Sequence, residues 1–257
     1  MLMFGDCGSG GPEQKNIGEK SALTCEKLGC DLVLMLGDNF IQYGVESIHD
    51  PQFREKFEEI YPQKLPFYAI LGNHDLKGNW RAQVEYTNHS ERWNMPDVNY
   101  RFIGGPVQFM GINTSCTICS LWNLLTPRPT PWRLVFGHRP METQGRHRGM
   151  TWLEKVFIRS TSAQLYCCGH NHLLEHYRFG NMDQITAGLA GTNASTQSAT
   201  SARAAAASQL ARALGAESEG GPGTWDKGEK AIHHFLKNRA RLSSPLPTIK
   251  NASGLHD

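Results

Sequence analysis

The sequence lacks the features that mark several large classes of protein. Its 257 residues contain no apolar run long enough to cross a bilayer, so we expect no membrane span. Lysine and arginine total 26 against 24 acidic residues, and this balance argues against a nucleic-acid partner, which would favour a basic excess. The first residues show no basic region and apolar stretch typical of a signal peptide, and no repeat of fixed period occurs. An ordinary globular protein with a substantial core remains.

The cysteines give no clear signal. They number seven, and Cys116 and Cys119 form a CxxC pair without the second pair that would complete a structural zinc site. The redox compartment is therefore not determined by the sequence. Cys167 and Cys168 are adjacent in an apolar run, which predicts that they point to opposite faces of a strand.

A short apolar run that ends in glycine and is followed by Asp, Asn or His is the most informative pattern. Such runs predict buried strands, each with a polar residue at its carboxyl end. They are Leu2–Phe4 before Gly5-Asp6, Leu32–Leu36 before Gly37-Asp38-Asn39, Phe67–Leu71 before Gly72-Asn73-His74-Asp75, Leu134–Phe136 before Gly137-His138, and Leu165–Cys168 before Gly169-His170-Asn171-His172.

Helical segments lie between these strands, as expected of an α/β protein. Periodic apolar residues and capping residues predict helices over Lys15–Leu28, Asp50–Tyr61 and Thr151–Arg159. Hairpins are predicted over Asn99–Asn113 and Leu173–Leu189.

The strand ends predict a ligand site. In an open α/β sheet, ligands bind in the crevice at the carboxyl ends of the strands. The side chains expected to converge there are Asp6, Asp38, Asn73, His138, His170 and His172. Two carboxylates, one amide and three imidazoles are too many for one tetrahedral zinc site, but they suit two ions that share a carboxylate. The resulting surplus of positive charge favours an anionic substrate.

These motifs, in this order, resemble the calcineurin-like metallophosphoesterase superfamily. The longer segments GDCGSGG, GDNFIQYGV, GNHDLKGN, RWNMPDVNY, GHRP and GHNH are most similar to the tartrate-resistant purple acid phosphatases. The resemblance covers residues 2–191. It implies an α/β fold in which two mixed β-sheets pack as a sandwich with flanking helices, and it suggests a secretory or lysosomal location.

The resemblance also implies roles for individual residues. Asp6, Asp38 and His172 would bind the first ion, and Asp38, Asn73, His138 and His170 would bind the second, so that Asp38 is the bridge. His74 would be the general acid, Asp75 its orienting group, and His147 a second substrate-facing histidine. The ions would be iron paired with iron, zinc or manganese.

The function expected from these residues is that of a binuclear, metal-dependent acid phosphatase. It would hydrolyse phosphate monoesters by attack of a metal-bound hydroxide, with Arg139 or Arg146 as a further phosphate contact. A phosphodiesterase and a non-catalytic binding or anchoring protein remain as alternatives. The sequence predicts neither the physiological substrate nor the oligomeric state.

The chain departs from the family pattern at Ile41. Purple members carry a tyrosine three residues after the bridging aspartate, and its phenolate binds the first ion and produces the colour. Isoleucine has no donor atom, which favours a pair of divalent ions unless Tyr43 replaces the missing ligand. The segment Thr114–Thr130 also differs from the family. We expect a metallophosphoesterase domain over residues 1–193 and a low-complexity, poorly ordered tail over residues 194–257.

Overall fold

A computed structural model describes residues 1–116, 127 and 129–189, and the α/β prediction is confirmed. One sheet has four parallel strands in the order β1-β2-β3-β4. These strands are Leu2–Phe4, Val33–Met35, Phe67–Ala69 and Trp93–Asn94. The second sheet is mixed, with the order β5-β6-β7-β8-β10-β9. Its strands, β5 to β10 in chain order, are Tyr100–Gly104, Val107–Gly111, Trp132–Phe136, Leu165–Cys168, Leu174–Phe179 and Met182–Ala187.

The helices flank these sheets and mostly begin and end near the predicted positions. They are α1 over Pro12–Leu28, α2 over Pro51–Phe53 continued by a π-helical turn over Arg54–Glu58, α3 over Trp80–Glu85, and α4 over Trp152–Ser160. Short 3₁₀ turns cover Asp75–Lys77 and Tyr86–Asn88. No helix among the described residues is both long and apolar enough to cross a membrane.

Local chemistry explains where two of the helices begin or end. Helix α1 stops at Gly29, whose φ of 74° is a left-handed conformation that glycine adopts without cost. A disulfide between Cys25 and Cys30 spans this end of the helix. Helix α4 begins with a capping box, in which the Thr151 and Glu154 side chains each accept a backbone N–H of the other residue.

The main core joins residues of both sheets with Phe53 and Phe57 of the α2 segment. Leu134 and Phe136 of β7 join this core, whereas Val135 between them packs in a second cluster with Ile158 of α4. Cys167 and Cys168 of β8 divide between the two clusters in the same way, which confirms that they point to opposite faces. The mixed sheet is therefore covered on both faces.

The parallel strands bring the polar motifs to one edge. Strands β1, β2 and β3 pair in parallel, as do β7 and β8, so their carboxyl ends lie side by side within each sheet. The predicted tail over residues 194–257 and most of the segment Thr114–Thr130 lie outside the described residues.

Candidate metal centre

All six of the predicted metal ligands lie close together at this edge. Single donor atoms of Asp6, Asp38 and His138 lie within 4.8 Å of one another, and the three residues are buried. The Oδ1 atom of Asn73 and the Nδ1 atom of His170 each lie 3.2 Å from Nε2 of His138. The Nε2 atom of His172 is 3.6 Å from Oδ1 of Asp6. The geometry thus joins residues from five separate strand ends.

The backbone is strained at three of these residues. Asp6, Asp38 and His170 have φ values of 57°, 52° and 69°, in the left-handed region that side chains disfavour. Each directly follows a glycine that comes just after a strand, Gly5, Gly37 or Gly169. Strain of this kind persists only where the surrounding structure compensates for it, and it clusters at functional sites.

The glycines of the motifs make room for the carboxylates. A Cβ atom on Gly72 would lie 2.1 Å from Oδ1 of Asp38, and one on Gly169 would lie 2.5 Å from Oδ2 of Asp6. Any side chain at these positions would displace an aspartate. Gly72 and Gly169 are therefore steric requirements of the site.

In both Asp6 and Asp38, one carboxylate oxygen accepts a backbone N–H, and the other oxygen faces the candidate metal centre. Oδ1 of Asp38 accepts the N–H of His74 at 2.8 Å, and its Oδ2 lies 3.4 Å from Nε2 of His138. Oδ2 of Asp6 accepts the N–H of His170 at 2.8 Å, whereas its Oδ1 is buried without a hydrogen-bond partner. A buried carboxylate oxygen without a partner is costly unless a cation binds it.

The hydrogen bonds of His138 assign its tautomer. Its Nδ1 lies 2.8 Å from the carbonyl oxygen of Leu36, so this nitrogen carries the proton that is donated. Nε2 is then free to bind a cation when the ring is neutral, and it faces Asp38, Asn73 and His170. A backbone carbonyl that orients a ligand histidine in this way is common in metal sites.

The donor set fits metal cations. The Asp6 oxygen without a hydrogen-bond partner lies near a carboxylate oxygen of Asp38 and a ring nitrogen of His138, and these three atoms can share a cation. Carboxylate, amide oxygen and imidazole are ligands that suit iron, zinc and manganese. We take this fit as the physical basis for expecting a metal centre here.

Without a metal, the buried charges perturb one another strongly. Burial raises the pKa of Asp38, but the adjacent His138 outweighs burial, and the pKa falls to about 2. Burial lowers the pKa of His138, but Asp38 and then Asp6 raise it to about 9. Burial, together with the charge of His138, lowers the pKa of His170 to about 3. The metal-free site therefore places a proton on His138 rather than on His170.

His74 lies at the centre, but Asp75 does not orient it. Nδ1 of His74 is 2.8 Å from the carbonyl oxygen of Gln42, which leaves Nε2 facing Asp38 at 3.9 Å. The carboxylate of Asp75 is buried and accepts hydrogen bonds from groups other than the His74 ring, among them the N–H groups of Asn39 and Gly72. The expectation for Asp75 is corrected: because its side chain points into the core, it supports loops instead of the His74 ring.

His147 lies at the mouth of the site. Its ring centroid is 4.9 Å from that of His170 and 6.3 Å from that of His172. Arg139 is paired with Glu154 at 3.1 Å and donates to the carbonyl oxygen of Gly149, whereas Arg146 is exposed beside His147. Arg139 is thus engaged within the protein, whereas Arg146 is open to solvent.

Tyr43 does not replace the ligand that Ile41 lacks. Its side chain is 72% exposed, and its ring lies 5.8 Å from the ammonium group of Lys77. The phenol is therefore part of the surface and not of the centre.

Sequence reasoning missed a buried polar network beneath the site. The side-chain amide of Asn39 donates to the carbonyl oxygen of Ile70 at 2.9 Å and to Gln83 at 3.2 Å. Gln83 in turn donates to Asp75 at 3.1 Å. The only signal in the sequence was Asn39 within the GDN motif, because Gln83 lies in a helix that the apolar pattern did not predict.

Comparisons of the sequence with known proteins all point to phosphoesterases. The sequence matches the model of the family described as calcineurin-like phosphoesterase over residues 3–174. It is 30% identical to purple acid phosphatase 3 of Arabidopsis thaliana over 213 residues, which is 68% of this chain and 58% of that protein. It is 31% identical to human tartrate-resistant acid phosphatase type 5 over 159 residues, 58% of this chain and 46% of that protein. The chain thus spans about half the length of these curated relatives.

Solved structures show the same fold. The structure titled "GAP50 the anchor in the inner membrane complex of Plasmodium" superposes with a TM-score of 0.64 at 22% identity, and the match covers 76% of this chain and 75% of that one. A purple acid phosphatase from yellow lupin seeds gives a TM-score of 0.51 at 14% identity, covering 74% and 44% of the two chains. Because these sequence identities are low, the two structures show a shared fold and nothing more.

Proposed function

Since this chain belongs to the calcineurin-like phosphoesterase family, we propose that it hydrolyses phosphate monoesters at a binuclear metal centre. The observation that carries the proposal is the convergence of two aspartates, an asparagine and three histidines from separate strand ends. A single structural zinc would need four ligands, and six with a central carboxylate favour a pair of ions.

The residues divide between two cations around Asp38. Asp6, Asp38 and His172 would hold one, and Asp38, Asn73, His138 and His170 would hold the other. When bound, such a pair supplies positive charge to the phosphoryl oxygens and lowers the pKa of water towards neutrality. The metals are iron paired with iron, zinc or manganese, and a divalent pair is favoured because Ile41 supplies no anionic oxygen.

His74 is the general acid in this proposal. The carbonyl oxygen of Gln42 accepts the proton on Nδ1 and holds the ring, so that Nε2 is the nitrogen directed to the centre. A proton on Nε2 would pass to the oxygen of the leaving alcohol as its bond to phosphorus breaks. His147, whose exposed ring lies beside that of His170, and the exposed Arg146 next to it in the sequence would meet the phosphate group as it enters.

A non-catalytic binding or anchoring protein is the second candidate. The absent tyrosine at position 41 favours it, and so does the fold shared with a protein whose title describes an anchor. The intact set of predicted ligands and His74 weigh against it. A phosphodiesterase is a third outcome that the assay below distinguishes.

The test combines metal analysis with hydrolysis of an aryl phosphate monoester and the matching diester across pH, with added divalent ions. Asp38→Ala should abolish metal content and hydrolysis together, because both ions depend on this carboxylate. His74→Ala should retain metal and lower turnover by roughly 10²–10⁴-fold. His49→Ala changes an exposed histidine away from the centre and serves as the control.

The outcomes separate the three candidates. Turnover of the diester without the monoester would replace the monoesterase by a phosphodiesterase. If the wild type and His74→Ala bind metal and are equally inactive, the anchoring candidate is favoured. Normal activity in Asp38→Ala would contradict the two-metal arrangement.

A further inference from the structure

We propose that Asn171 is a positioning residue that holds His147 at the mouth of the centre, an inference that rests on the proposed phosphatase function. Asn171 stands between two of the predicted ligands, His170 and His172, and its own side chain is directed away from them to the loop that carries His147.

The carboxamide of Asn171 clamps the backbone of His147 from both sides of that residue. Its Oδ1 accepts the N–H of His147 at 2.8 Å, and its Nδ2 donates to the carbonyl oxygen of His147 at 2.9 Å. The two contacts assign the amide orientation, because only the oxygen can accept and only the nitrogen can donate. Asn171 is 1% exposed, so water does not compete easily for these bonds.

The clamp has a rigid base. The N–H of Asn171 donates to the carbonyl oxygen of Gly169 at 2.8 Å, and its own carbonyl accepts the N–H of Leu173 at 2.7 Å. The same short turn carries His170 and His172. A displacement of either ring would therefore be coupled to His147 through this turn, which links the opening to the centre.

The loop around His147 depends on such contacts, because residues 141–149 contain no helix or strand. Gln184 of β10 accepts the N–H groups of Met141 and Glu142 at 2.8 and 3.1 Å. Glu175 of β9 accepts the N–H of Gln144 at 2.6 Å. These bonds hold the start of the loop, and Asn171 holds its exposed tip.

Gly145 provides an independent sign that the loop and Asn171 fit closely. A Cβ atom at this position would lie 2.3 Å from Oδ1 of Asn171, the oxygen that accepts the N–H of His147. Gly145→Ala should therefore displace the clamp without any change to Asn171 or to a residue next to a predicted ligand.

The kinetic test is a double-mutant cycle between Asn171 and His147 with an aryl phosphate monoester. Asn171→Ala should lower kcat/KM by about tenfold, with the same division between kcat and KM that His147→Ala shows. In the His147→Ala background, Asn171→Ala should add little, because the ring that it positions is gone. Losses that multiply in the double variant would overturn the proposal, since Asn171 would then act through other groups.

Conservative variants and measurements of metal content distinguish a role of Asn171 in positioning His147 from a general disruption of the metal site. Asn171→Asp keeps the acceptor for the N–H of His147 but cannot donate to its carbonyl, so it should fall between wild type and Asn171→Ala. Gly145→Ala should resemble Asn171→Ala, and Gln144→Ala should resemble wild type because Gln144 is held through its backbone. If Asn171→Ala loses metal but Gly145→Ala does not, the lower activity of Asn171→Ala would be due to displaced metal ligands and not to a displaced His147.

Limited trypsin digestion tests the clamp without any activity. Arg146 and Arg148 flank His147, and both are exposed. Cleavage after them should be faster in Asn171→Ala and Gly145→Ala than in wild type or Gln144→Ala, because the freed loop reaches the protease active site more often. Unchanged cleavage would refute the clamp. If the wild type hydrolyses no phosphate ester but shows this cleavage pattern, the proposed function fails while the clamp stands.

Discussion

Asp75 and Asn39 join two loops that carry candidate ligands. Oδ2 of Asp75 accepts the N–H of Asn39 at 3.1 Å and that of Gly72 at 2.8 Å, and Oδ1 accepts the N–H of Phe40 at 3.0 Å and the side-chain amide of Gln83 at 3.1 Å. Each carboxylate oxygen thus accepts two donors. Because Asn39 directly follows Asp38 and Gly72 precedes Asn73, this one side chain sets the spacing of the loops.

We predict that Asp75→Asn destabilises the protein by roughly 2–5 kcal/mol. The substitution preserves shape but turns one acceptor oxygen into an amide NH₂, which would face two N–H donors in a buried site. Urea unfolding followed by tryptophan fluorescence measures the change. Asp31→Asn, at an exposed position, is the control and should leave the transition midpoint in place. If Asp75→Asn is as stable as wild type, contacts other than those of Asp75 must be enough to hold the two loops.

We predict that metal binding releases a proton from His138. In the metal-free protein the pKa of His138 is raised to about 9, because Asp38 and Asp6 outweigh burial. The ring is therefore charged at pH 7, and a cation can bind Nε2 only after that proton leaves. Apparent affinity for the metal should therefore rise with pH up to about pH 9.

Titration of the metal-free protein with Mn²⁺ in two buffers of different ionisation enthalpy measures this release. The observed enthalpy should depend on the buffer. His170→Ala should bind more weakly but still release the proton, since the pKa of His170 is lowered to about 3 and its ring is already neutral. A wild-type enthalpy that does not depend on the buffer would contradict the raised pKa.

We predict that the iron-loaded wild-type protein has no intense visible band. Ile41 offers no donor atom, and the ring of Tyr43 is 72% exposed beside Lys77. Tyr43→Phe should leave the absorption spectrum unchanged, whereas Ile41→Tyr should create a band from phenolate to ferric iron. A wild-type band that disappears in Tyr43→Phe would make Tyr43 a ligand.

We predict that deletion of residues 200–257 leaves metal content and melting temperature nearly unchanged. That segment has no ligand-type motif and no sustained apolar face, and the two sheets are built from residues before it. Differential scanning calorimetry of the full and shortened chains measures the effect. A large loss of stability would indicate docking, for which the exposed side chains of Trp152, Leu153 and Val156 on α4 are the first place to look.

Much of the fold could be predicted because its signals are local. Apolar runs that end in glycine predicted five of the strands, and Gly29, Asp50 and Thr151 marked helix ends from their own chemistry. The order of the GD, GDN, GNHD, GH and GHNH motifs predicted which side chains would converge. The two-residue strand Trp93–Asn94 and helix Trp80–Glu85 were missed because they are short and depend on packing.

The sequence by itself determined which polar residues follow the strands. It also determined that they converge, since parallel strands bring their carboxyl ends to one edge. Tertiary structure alone decided where the neighbouring polar groups point. Asp75 turns into the core to four donors, Asn171 turns to the loop of His147, and Tyr43 turns to the surface. Sequence proximity cannot predict such directions, because they depend on solvent or on hydrogen-bond partners distant in the sequence, such as Asn39, 36 residues from Asp75, and His147, 24 residues from Asn171.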